Sequence, residues 1–132
     1  VPDTSALIAA LLQATDHPSR NALAIKLAES GVPEVLPVLL ALIERPDLQH
    51  HRGTLVHCLG YFDCRPHFSK LVDLVIAGNW ETAHEAFGVL QAIDTLGTDQ
   101  VLAGFNALEA ALQHTPEDWH AGLITDLLAM FA

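Results

Sequence analysis

The chain has 132 residues, enough for one domain with a real core and no need of disulfides or metal to staple it. Hydrophobic residues make up 51%, yet no apolar run approaches the roughly 20 residues of a membrane span. Sixteen Asp and Glu against six Lys and Arg give a net charge of -10, which repels phosphate backbones and argues against nucleic-acid binding.

Helical spacing runs through the chain and strand signals are nearly absent. Thr4-Ser5 predicts the cap of a first helix reaching Ala14, with Leu7, Leu11 and Ala14 on one face. Asp16-His17-Pro18-Ser19 breaks the pattern, and Asp16 or Ser19 is placed to cap a helix through Ser30. Gly31 is a natural terminator, and Pro33 opens the next helix where its missing N–H costs nothing. Arg45-Pro46-Asp47 stops that helix after Glu44. Further helices are predicted over 48–61, 67–77, 80–96 and 98–113, the last of these capped by Thr98-Asp99. Thr115-Pro116-Glu117-Asp118 then supplies a capping Thr, a proline at the first position and acids facing the dipole of a helix reaching Met130.

These segments repeat. Arg20-Asn21-Ala22-Leu23-Ala24-Ile25-Lys26-Leu27 recurs in apolar outline 32 residues on, at Arg52-Gly53-Thr54-Leu55-Val56-His57-Cys58-Leu59. A third copy reads His84-Glu85-Ala86-Phe87-Gly88-Val89-Leu90, and Leu39, Leu42 and Ile43 answer to Leu71, Leu74 and Val75. A fixed period of this size marks a stacked repeat. The expectation is an all-α chain of about seven helices in a single domain over 1–132, with half repeats at both ends closing a complete small stack. Arg20 and Arg52 each follow an acid, Asp16 and Asp47, so each is expected to pair with it by charge-assisted hydrogen bonds.

Asp16…Arg20-Asn21-Ala22-Leu23…Gly31-Val32-Pro33 and Asp47…Arg52-Gly53-Thr54-Leu55…Asp63 resemble HEAT-like repeats of the short bacterial type. The third copy departs, with Asn79 for the Asp and His84 for the Arg. The resemblance implies a right-handed α-solenoid in which each helical pair completes its core by stacking on the next. It does not by itself fix an activity.

No nucleophile elbow, P-loop, dinucleotide fingerprint or recognisable carboxylate pair occurs, so the reading is not an enzyme. Cys58 and Cys64 are too few for a disulfide framework and lack a CxxC spacing, which reads as a reduced pair. His50, His51 and His84-Glu85 fall near helix starts. Some HEAT-like enzymes, deoxyhypusine hydroxylase among them, hold two irons with several His-Glu pairs, and this chain resembles that only in His84-Glu85. No metal or cofactor is therefore expected. His57 aligns with Ile25 and Val89 and reads as a satisfied buried histidine.

Interaction candidates are clearer. Tyr61 and Asp63 end one helix, and Trp80 begins another, with plugging of a seam as the alternative for Trp80. Asp73 and Asp99 add an acidic strip expected on the concave face. Arg52-Gly53-Thr54-Leu55…Gly60-Tyr61-Phe62-Asp63-Cys64, followed by Gly78-Asn79-Trp80-Glu81…His84-Glu85-Ala86, resembles small bacterial immunity proteins, which neutralise a toxin by covering it. That resemblance implies a cytoplasmic monomer whose acidic surface meets a basic toxin domain through Tyr61, Asp63, Trp80 and Glu85, with Asp73 and Asp99 beside them. The alternatives are a metal- or cofactor-dependent enzyme or lyase subunit on the same scaffold, and a general scaffold or adaptor.

Overall fold

The computed structural model describes residues 3–114 and 117–131, and over these the backbone forms eight α-helices and three short 3-10 turns, with no strand. The chain is all-α. The eight helices correspond one for one to the eight segments taken in chain order above, so the expected total of about seven is one short of its own segments. By its internal contacts it divides into two compact units, Val1–Asp63 and Cys64–Ala132.

The first unit holds α1 (Thr4–Gln13), α2 (His17–Ser30), α3 (Val35–Ile43) and α4 (Gly53–Cys58). Asp3, rather than Thr4 or Ser5, caps α1, accepting from the Ser5 N–H at 3.4 Å. Asp16 caps α2 more tightly, accepting from the Ser19 N–H at 2.8 Å. Gly31 ends α2 with φ of 69°, a left-handed conformation that a side chain resists. Pro33 lies in the turn before α3 and does not open it. Pro37, third in α3, falls where the backbone N–H has no helical partner to lose.

The helix expected over 48–61 is broken into a 3-10 turn at Pro46–Leu48, the short α4, and a second 3-10 turn at Leu59–Tyr61. Gly53 at its start is a poor helix former, and 3-10 tightening is common at helix ends. The core of this unit is fully buried aliphatic packing, with Leu11, Leu27, Leu39, Leu42, Leu55 and Leu59 sealed from water. Burying each such side chain contributes about 1.5–3 kcal/mol.

The second unit holds a 3-10 turn at Arg65–His67, then α5 (Phe68–Ala77), α6 (Trp80–Gln91), α7 (Thr98–Leu112) and α8 (Asp118–Met130). Helix α5 is central and packs on the other three. The predicted reach of α6 to Leu96 is not realised. It stops at Gln91, where the Ala92 and Ile93 N–H groups turn back to Val89 and Leu90, and β-branched Ile93 and Thr95 with Asp94 do not extend it. Gly97, not Thr98 or Asp99, is the N-cap of α7, and the Gln100 side chain accepts from its N–H at 3.0 Å. The start signal assigned to Thr115 and Pro116 lies outside the described residues.

Gly104 of α7 is a close-approach position: a Cβ there would fall 2.7 Å from the Phe68 ring. Phe68 in turn meets Phe131 edge to face, with centroids 5.8 Å apart.

Burial matches the 32-residue sequence offset between α3 and α5, where Leu39, Leu42 and Ile43 and the residues 32 positions on, Leu71, Leu74 and Val75, are all buried. It slips in α6. The buried set of α2, Arg20, Ala24, Leu27 and Ala28, recurs at Thr82, Ala86, Val89 and Leu90, 62 residues on rather than 64. Thr82, not His84, therefore stands in the place of Arg20.

Candidate functional site

Arg20 is 3% exposed, and its guanidinium does not pair with Asp16. Nη2 donates to the Ala14 carbonyl at the end of α1, and Nη1 donates to His17 Nδ1, both at 2.8 Å. Asp16 is used instead as the cap of α2. Arg52 likewise bonds the Ile43 carbonyl at the end of α3, at 3.4 Å, while Asp47 takes both guanidinium contacts of Arg45. The expected Asp–Arg ties are thus replaced by arginines closing the C-terminal ends of the preceding helices, where a cation also suits the dipole. Short loop geometry decides this, since each acid is nearer to a backbone or side-chain donor in its own turn.

Because arginine can only donate, His17 Nδ1 must accept, which fixes the imidazole as the neutral Nε2–H tautomer. The His17 ring stacks on His51 with centroids 3.7 Å apart and 14° between planes. Burial holds the His17 pKa below the ordinary histidine value, and the His51 and Arg20 charges push it the same way. His17 is half-buried, held between the Arg20 guanidinium and the exposed His51 ring.

His57 is not buried as expected. It lies exposed on α4, edge-on to Tyr61 at 6.3 Å, and Ile25, 32 positions earlier in the sequence, is also 38% exposed. The interior of α4 is taken by Leu55, Val56 and Cys58. Both cysteines are buried thiols. Tyr61 is 48% exposed and Asp63 is exposed, so both are at the surface of the first unit.

In the second unit Trp80 is 58% exposed, which removes the seam-plug alternative. It is the first residue of α6, and its ring lies against His84 one turn on, at 4.1 Å. His84 also faces Trp119 of α8 at 5.7 Å, and Trp119 stacks on His120 at 4.6 Å with planes 5° apart. Four rings form a continuous aromatic row on the first two turns of α6 and the first turn of α8. Three are pinned: His84 Nδ1 donates to the Trp80 carbonyl, His120 Nε2 to the Val75 carbonyl, and Trp119 Nε1 to the Glu117 carboxylate. Glu85 is half-buried on α6.

Trp119 and His120 were not anticipated as partners of Trp80. The i, i+4 spacing of Trp80 and His84 was visible in the sequence; the approach of α8 was not.

Asp73 and Asp99 are exposed and come together on one groove of about 280 Å³ between α5 and α7, floored by Phe68, Val72, Ala103 and Gly104. Of the histidines considered for metal, His51 stacks on His17 and His84 is committed to Trp80. Among the described residues no group of three or more His, Cys, Asp or Glu converges, and no helix is long and apolar enough to cross a membrane.

Charge divides unevenly. Val1–Asp63 carries seven acids and four Lys or Arg, a net -3, whereas Cys64–Ala132 carries nine acids and two, a net -7. No Lys or Arg occurs after Lys70. The aromatic row therefore sits in a stretch of sequence with carboxylates and no permanent cation.

Comparison with known protein families, curated proteins and solved structures finds no match to this chain.

Proposed function

We propose that the chain is a protein-binding module built on HEAT-like helical repeats in a right-handed solenoid, acting in the cytoplasm as a monomeric immunity-type protein that occludes a basic toxin domain. The observation that carries the reading is Trp80, a large aromatic more than half exposed and backed by a pinned row of rings. Exposed Trp and Tyr held rigidly are the residue types that anchor protein interfaces, because they offer area with little side-chain entropy to lose. The acidity of the same unit favours a basic partner and speeds its approach. Tyr61 and Asp63, Trp80 and Glu85, and the Asp73–Asp99 groove are the surfaces proposed to meet it.

The test is co-expression of this chain with the product of each neighbouring gene, measuring toxicity and co-purification. A stoichiometric complex that suppresses toxicity is the expected result. Failure to bind or protect against either product would overturn the immunity reading.

A further inference from the structure

The row Trp80–His84–Trp119–His120 is more specific than an apolar patch. With one side of the Trp80 ring against His84, its exposed area is left to the opposite face and the edge. Carboxylates adjoin the row along the chain: Glu81 and Asp118 are exposed in the first turns of the two helices, Glu117 accepts from the Trp119 indole, and no Lys or Arg follows Lys70 in the sequence. A purely apolar partner would gain from the indole but would have to desolvate these acids. A compact ammonium would be drawn to the acids yet makes poor use of a flat ring. A guanidinium satisfies both, since it is planar, stacks on an indole face, and presents edge N–H donors to carboxylates.

We infer that the aromatic row is a docking surface for an arginine side chain of a basic partner protein, with Trp80 as the platform and Glu81, the next residue of the same helix turn, as the acidic group that draws it in. This rests on the proposed protein-binding function and names the chemistry of the partner's anchor. His84 and His120 hold the platform in place through their bonds to the Trp80 and Val75 carbonyls.

The two tryptophans of the chain, Trp80 and Trp119, both belong to the row, so intrinsic fluorescence reports on it directly. The probes are two blocked peptides of equal charge, one alternating Gly and Arg, the other Gly and Lys, titrated into the full chain. The Arg peptide is expected to quench the emission and to bind about tenfold more tightly than the Lys peptide. Trp80→Ala should bring the Arg affinity down to that of the Lys peptide and leave the latter unchanged, with the helical circular dichroism intact. Equal affinity for both peptides would show diffuse acid attraction and overturn the inference, as would absence of binding or an unchanged Arg affinity in Trp80→Ala. A toxin complex that forms normally with Trp80→Ala would sink this inference and leave the proposed function standing. Arg selectivity without any protective complex would do the reverse.

Discussion

The two units differ in where their most distinctive polar or aromatic group lies. In Val1–Asp63 the distinctive polar group is Arg20, buried against the end of α1 and bonded to the half-buried His17, while His57 and Tyr61 stay at the surface. In Cys64–Ala132 a comparable set of rings and acids turns outward, led by Trp80. Inward polar groups of this kind are costly to leave unpaired and so are kept for stability. Outward aromatics contribute little to folding and are explained by what they touch. Arg20 and Trp80 therefore carry different meanings, the first for stability and the second for contact.

That contrast can be broken by substitution. The largest effects should come from the cores, where Leu39→Ala and Leu71→Ala, at corresponding places in α3 and α5, are each expected to cost about 2–5 kcal/mol in denaturant unfolding. Arg20→Ala should follow at about 1–3 kcal/mol, because the Ala14 carbonyl and His17 Nδ1 lose their donor. Arg52→Ala should cost less, since its bond to Ile43 is longer and the residue only half-buried. Asp16→Ala should cost about 1 kcal/mol through loss of the α2 cap, and Asp3→Ala less, given its longer contact.

Acid should act on the first unit in two windows. His17 has a folded pKa below its ordinary 6.5, so its contribution is full above that value and is lost as pH falls through the lowered folded pKa. Protonation there also sets two cations face to face at the Arg20 bond. The Asp16 and Asp47 carboxylates are held below 3.8 by their hydrogen bonds to Ser19 and Arg45, and their contribution is lost only in stronger acid. Melting temperature should therefore begin to fall between pH 7 and 5, and His17→Asn should flatten that part of the profile. An unchanged profile in the variant would remove His17 from the account.

Much of the helical plan was legible because its signals are local. Gly31, Asp16 and Pro46 act on backbone within a few residues of themselves, and the apolar spacing of Leu39, Leu42 and Ile43 and of their counterparts marks buried faces directly. What was not legible depends on competition within a turn or on contact between distant elements. Asp16 preferred the Ser19 N–H to Arg20, Asp47 preferred Arg45 to Arg52, and a 32-residue alignment gave His84 the place that burial gives to Thr82. His57 was read as buried because its counterparts are aliphatic, yet Ile25 shares its exposed position. Of the candidate site, Trp80, Tyr61 and Asp99 were visible as residue types near helix ends, and Asp73 as an acid within a helix. The row that extends Trp80 required α8 to bring Trp119 and His120 alongside, and no spacing within the sequence encodes that approach.

The smallest expected stability effect is also the most informative. Trp80→Ala should leave the denaturant midpoint within about 0.5 kcal/mol of the parent, as for an exposed side chain outside the core. The direct test is to measure that midpoint and the affinity for the partner on the same variant. An unchanged midpoint with affinity lower by about 30-fold is the result predicted for an outward binding platform. A midpoint lowered by about 2 kcal/mol, or an unaltered affinity, would show that the row is a packing feature and contradict the division between the two units.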